Sequence, residues 1–232
     1  MSCTDFFSTS LAPWAARDPN KLIPAVTTGN VKDLITQAEN DPDLSLAILK
    51  KIQSAANGAS GQDLQTLQNA SLEAAVNAAG LGQAVLGTAS NLSKIDFSAE
   101  ETTAADVQDI ILKAVGSLSN LDSTGQALLA ILPDPKDTET FNAWAENAPA
   151  DDLAMAAVVL IAGEINKQNF TDSYGIDDYL SDLDPTLQNP EQTDNENMAM
   201  ALALATAIGD RDDISGPLKN VLDGLKLWYP ST

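Results

Sequence analysis

Ala38-Glu39-Asn40-Asp41-Pro42-Asp43-Leu44-Ser45-Leu46-Ala47 and Ala145-Glu146-Asn147-Ala148-Pro149-Ala150-Asp151-Asp152-Leu153-Ala154 are one corner written twice, the second copy 107 positions after the first. Each copy is entered by an amphipathic stretch: Val31, Leu34, Ile35 and Ala38 before the first, Phe141, Trp144, Ala145 and Ala148 into the second. Those spacings of three and four put the apolar residues on one face of a helix. A proline then follows, which lacks an amide hydrogen and has a preset φ, so it suits the first turn of a new helix. Aspartates beside it can accept hydrogen bonds from the free amides of that turn. The reading is a short helix, a tight corner and a longer, more apolar helix, twice over. Residues 31–56 and 138–166 are therefore expected to form similar antiparallel hairpins.

Working outward, the punctuation continues to mark helices. Asp43 is expected to open the second helix, which runs to Asn57-Gly58, and Ser60 to cap a segment carrying Leu64, Leu67, Ala70 and Leu72. Gly80 and Gly82 interrupt that segment, and a further helix is expected where Val107, Ile110, Ile111, Ala114, Val115 and Leu118 share a face. A short helix over Gly125 to Leu132 is closed by Pro133-Asp134-Pro135, the expected seam between two halves. Residues 153–163 and 198–208 are apolar on every face, and Thr193-x-x-Glu196 reads as a capping box for the second of them. Eleven apolar residues cannot cross about 30 Å of hydrocarbon, which needs about 20. These two helices are expected to lie inside the protein, with Val158, Leu160 and Ile161 all sheltered from solvent. A final helix is expected up to Trp228-Tyr229, stopped by Pro230.

No run of four to eight residues alternates in the strand pattern. The fold class expected is all-α: an irregular array of antiparallel helical hairpins around two buried apolar helices. The organisation expected is a tether over 1–29, a first helical half over 30–132 and a second over 133–232, packed as one compact domain. A chain of 232 residues, 44% of them hydrophobic, is long enough to bury such a core. Aromatic residues are only 5%, so the core must be Ala, Leu, Ile and Val at close helix spacing.

Charge and composition narrow the function. Twelve Lys and Arg against 33 Asp and Glu leave a net charge of −21, which repels phosphate backbones, so no nucleic-acid partner is expected. An anionic membrane would also repel this body, so membrane contact is expected only through an anchor. Histidine is absent and cysteine occurs once, which removes His- or paired-Cys zinc sites, Ser-His-Asp triads and Cys-His dyads. No intrachain disulfide can form. Asp210-Arg211-Asp212-Asp213-Ile214-Ser215-Gly216 starts like a calcium loop but places Ile214 at the fifth position and Val221 where a bidentate Glu belongs. No metal and no cofactor are expected.

The opening Met1-Ser2-Cys3-Thr4-Asp5, followed by Ser8, Thr9 and Ser10, resembles the processing site of a bacterial envelope lipoprotein: a small residue before the cysteine and a polar tether after it. The resemblance implies a diacylglycerol thioether on Cys3 and a location in the cell envelope. The alternative is a cytoplasmic start with Cys3 as a free thiol. The doubled corner is in turn similar to helical-repeat proteins of the HEAT or TPR kind, whose units are about 34–47 residues.

Together these features point to a noncatalytic extracytoplasmic lipoprotein domain acting as a helical scaffold or binding module for a protein partner. Its candidate binding loop is the irregular stretch from Phe170 to Gln192, with Tyr174 and Tyr179. A second reading is a carrier of an apolar small molecule, with Met155, Met198 and Met200 lining a pocket between the apolar helices. A third is a carboxylate-based enzyme, which requires two acidic side chains brought together.

Overall fold

In a computed structural model the described residues are 23–81, 116–168, 195–209, 211, 213 and 214. They are all-helical: seven helices and no strand. In chain order these are α1 (Val31–Ala38), α2 (Pro42–Ala56), α3 (Gly61–Ala79), α4 (Leu121–Ile131), α5 (Thr138–Ala145), α6 (Ala150–Gln168) and α7 (Glu196–Ile208). The two copies of the corner obey the 107-residue offset closely. The short helices α1 and α5 match end to end, each eight residues long, and each is followed by its proline and a long helix.

Local capping explains several boundaries and corrects some expected ones. The α2 cap is Asp41, whose carboxylate accepts the Leu44 amide at 3.0 Å, so Pro42 and not Asp43 opens the helix. Ser60 precedes α3 but makes no side-chain cap bond. Gly80 ends α3 in the left-handed conformation, φ +70°, that glycine adopts without a Cβ penalty. A second left-handed residue, Asn120 (φ +54°), starts α4 at Leu121, one turn before the glycine expected to start it. Its side-chain amide donates to Asp43 Oδ1 at 3.2 Å and to Ala78 O at 3.4 Å, a tertiary anchor that offsets the strain. The cap of α7 is Asn195, which accepts the Met198 amide at 3.1 Å, in place of the expected box with Thr193. Cys3, residues 82–115, the stretch 170–192 and the closing segment from 215 lie outside the described residues.

Hydrogen bonds and close contacts set the directions of the helices. Ser119 N donates to Ala79 O while Gln68 Nε2 donates to Ile131 O, so α4 runs antiparallel to α3. Gly125 of α4 faces Leu160 and Gly163 of α6 faces Leu121, which makes α6 antiparallel to α4. Asn197, at the start of α7, also reaches Gly125, whereas Arg211, just past its end, reaches Ala148 before α6. Hence α7 is antiparallel to α6. α2 and α3 form one hairpin, α6 and α7 another, and α4 sits where both meet.

One apolar core spans both halves. It runs from Ile35, Leu49 and Leu72 through Leu128 to Leu153, Leu160 and Leu204, crossing the Pro133–Pro135 break without interruption. Buried positions of the two long helices also match at the 107-residue offset: Ala47 with Ala154, Leu49 with Ala156 and Ile52 with Val159. Leu160 is fully enclosed as expected, but Val158 and Ile161 are half-buried. With Met155 they form a stripe at spacing three that α3, α4 and α7 leave partly open. An apolar sequence on every face gives no hint of which stripe that is.

Candidate functional site

The second proline corner carries the densest polar construction among the described residues. Its entry helix α5 is capped by Asp137, which accepts the Thr140 amide at 3.2 Å and its hydroxyl at 2.8 Å. These bonds hold the Asp137 carboxyl below its usual range. One turn later Phe141 and Trp144 meet edge to face, ring centres 5.4 Å apart. Trp144 is 5% exposed, and its indole N–H donates to Asn69 Oδ1 of α3 at 3.0 Å. The corner is therefore pinned to α3 by one aromatic side chain that satisfies both its apolar body and its polar edge.

Beyond Trp144 the chain turns through Asn147 and Ala148, whose amides bond back to Trp144 O and Ala145 O at 3.0 and 3.2 Å. Two carbonyls of this turn, Ala145 O and Ala148 O, accept from the same guanidinium nitrogen, Arg211 Nη1, at 3.1 and 3.0 Å. Arg211 is in turn held by Asp213 through a two-pronged contact, Nε to Oδ1 at 2.9 Å and Nη2 to Oδ2 at 2.7 Å. That bond keeps the Asp213 carboxyl low and Arg211 high on the pH scale.

Asp152, in the first turn of α6, completes the corner. It is half-buried, and burial pushes its carboxyl up to about 6, with the charges of Glu73 on α3 and of its neighbour Asp151 adding to the effect. Asn69 and Glu73 are one turn apart on α3, so the helix that receives the Trp144 bond also supplies the Glu73 charge felt by Asp152. Asp152 therefore keeps its proton to a higher pH than an ordinary carboxyl. Among the described residues no three acidic or cysteine side chains gather as a metal site would require.

Against the residues expected from sequence, the structure distributes the methionines instead of gathering them. Met200 is fully buried in the core, while Met155 and Met198 are half-buried. Because α6 and α7 are antiparallel, Met155 lies towards the end of α7 and Met198 at its beginning. Cys3, Phe170, Tyr174 and Tyr179 lie outside the described residues. Sequence reading missed Arg211, Asn69 and Asp152. Only Asp152 had a signal to find it by: at the 107-residue offset it stands where Ser45 stands in the first copy. Compared with known proteins, the chain matches no family model, no curated protein and no solved structure.

A stability profile follows from Asp152. Its folded value lies above the ordinary 3.8, so the native state binds the proton more tightly than the unfolded chain does. The stabilisation is fully present below about 3.8 and is lost as pH rises through about 6. Because the side chain keeps some contact with water, we expect a gain of about 1–2 kcal/mol from this group between neutral and mildly acid pH. Chemical denaturation of wild type and Asp152→Asn over that range checks it. The variant should be the more stable at neutral pH and should lack this part of the slope.

Proposed function

We propose that the chain is a noncatalytic helical scaffold, a binding module held at the bacterial cell envelope through a lipid on Cys3. The observation that supports the scaffold is the doubled corner: two eight-residue helices, each turning at a proline into a long helix, built on one continuous core. Such a body keeps its loops in fixed relative positions, which is what a scaffold contributes to binding. The proposed contact region is the stretch between α6 and α7. Four residues, 57–60, separate α2 from α3, whereas 27 residues, 169–195, separate α6 from α7, all but the last of them outside the described residues. That stretch of sequence carries Phe170, Tyr174 and Tyr179 with seven Asp or Glu and no Lys or Arg over 169–194, a composition suited to a protein partner with a basic face. No described helix is long and apolar enough to cross a membrane, and the proposed attachment is through Cys3 alone.

Two experiments test this reading. Replacing 170–192 by a short Gly/Ser connection should leave folding intact yet fail to complement loss of the gene in the host, while Asp152→Asn with Glu73→Gln should complement fully. The opposite pattern would favour a carboxylate enzyme. For the anchor, the precursor expressed in its host should incorporate labelled fatty acid and partition into detergent, and Cys3→Ser should be soluble and unlabelled with an unchanged melt. A diacyl anchor acts through its buried methylenes, about 0.8 kcal/mol each, and not through the protein core. An unmodified Cys3 on a soluble wild-type chain would overturn the lipoprotein reading.

A further inference from the structure

The chain leaves the described body beside the start of α6. Arg211 bonds the carbonyls of Ala145 and Ala148 just before that helix, and three residues later Ile214 is half-buried against the core. Residues 215–232 remain beyond it. Among them Leu218, Val221, Leu222 and Leu225 fall at spacings of three and four, an apolar face for the helix expected up to Trp228-Tyr229. Lys219 and Lys226, seven positions apart, flank that face on one side. The four-residue step from Ile214 to Leu218 can span up to about 14 Å.

Within that reach α6 presents a surface of matching character. Met155, the first residue of the half-open stripe, lies about 8 Å along the helix from Ala150. It follows Asp152 and Asp151 by three and four residues and so shares their face. Glu73 is exposed on α3, and its charge is felt at Asp152. α3 has no Lys or Arg, and α6 has only Lys167, in its last turn, so neither helix supplies a cation at this end. Arg211 is committed to Asp213 and the two carbonyls. Of the stretches outside the described residues, 215–232 alone carries more basic than acidic residues, two lysines against Asp223. The stretch 82–115 has two against five, and 169–194 none against seven. A second copy of the chain, itself at −21, would bring like charge to this patch.

We infer that the C-terminal segment docks across the start of α6, with Leu218 and Leu222 on Met155 and Lys219 among Asp151, Asp152 and Glu73. The apolar contact supplies the attraction, and the lysine fixes the register, because a slip of the segment by one residue takes Lys219 off the acids. Part of the attachment is ionic and lies at the surface, so added salt weakens it. The patch is thus an intramolecular docking site whose occupant is the chain's own closing segment.

The test reads the accessibility of position 155 in the full-length chain. In a Cys3→Ser background, Met155→Cys carries the only thiol, and its labelling rate under native conditions is compared with that of Thr36→Cys, an exposed position on α1. Adding Leu218→Asp with Leu222→Asp should speed labelling at 155 about tenfold, the factor for a docking equilibrium weakened by about 1.4 kcal/mol, and leave position 36 unchanged. If that pair does not fold, Lys219→Glu decides: it should speed labelling about threefold, whereas Lys219→Arg should not. In the unaltered chain, carbodiimide coupling and peptide mapping should join Lys219 to Asp151, Asp152 or Glu73. Labelling at 155 as fast as at 36 in the unaltered segment would mean that nothing covers the patch. Labelling equally slow in every variant would mean that another stretch covers it, and protection lost on dilution that a second copy does. Each of these three results, or a Lys219 joined only to other carboxylates, overturns the inference.

Discussion

Trp144→Ala is expected to destabilise the protein by about 3–5 kcal/mol, the range for truncating a buried large aromatic. Three contributions act at one position. The side chain is 5% exposed, so its apolar surface is almost wholly buried. It stacks edge to face on Phe141, a geometry that adds about 0.5–1.5 kcal/mol beyond burial. Its N–H satisfies Asn69, which would be left partly buried without that donor. In a chain of this size the melting temperature should fall on the order of 10 °C. Trp144→Phe separates the terms: it keeps most of the apolar body and loses the Asn69 bond, so about 1–2 kcal/mol of the loss should remain. Urea titrations of the two variants make the comparison. A cost below about 1 kcal/mol for the alanine variant would mean that the second corner is not held to α3 as the structure describes.

Leu160→Ala should cost about 2–5 kcal/mol, towards the upper end of that range. Leu160 is fully buried, and its Cδ2 is 3.7 Å from the point where a Cβ on Gly125 would sit. The absence of a side chain at Gly125 lets α4 approach α6 closely. One turn further along α6 a Cβ on Gly163 would lie 3.6 Å from the backbone oxygen of Leu121, so the two helices already approach closely there and have little room to move inward to fill the void, the condition under which a cavity costs most. Val158, two residues away on the half-open stripe, is the control: Val158→Ala should cost about 1 kcal/mol or less because its site already meets solvent. Thermal or chemical melts of the pair test whether α6 is buried unevenly. Equal losses would place Val158 in the core with Leu160.

That unevenness marks where sequence reading stops. The apolar run Leu153–Gly163 shows that α6 is an inner helix, since such a surface cannot face water along its whole length. It does not show which stripe stays half-open, because every face is equally apolar and the choice belongs to the neighbours. The corners were legible for a different reason. A proline with an aspartate before it, or an amphipathic run ending three or four residues earlier, acts on backbone groups within a turn of itself, so its effect travels with the local sequence. Pro42 and Gly80 are of this kind, and Asp41, which caps α2 where Asp43 was expected to open it, acts over the same short range.

The polar chemistry of the second corner is of the other kind. Arg211 meets Ala145 and Ala148 across 66 and 63 residues, and Trp144 meets Asn69 across 75. No periodicity joins such positions. They come together only because α6 lies against α3 and α7 returns antiparallel along α6, and that packing comes from the whole apolar core acting at once. Asp152 shows both halves of the matter. Its place in the repeat was written in the sequence, aligned with Ser45. Its elevated proton affinity was not, because burial and the field of Glu73 exist only after α3 and α6 have closed on each other.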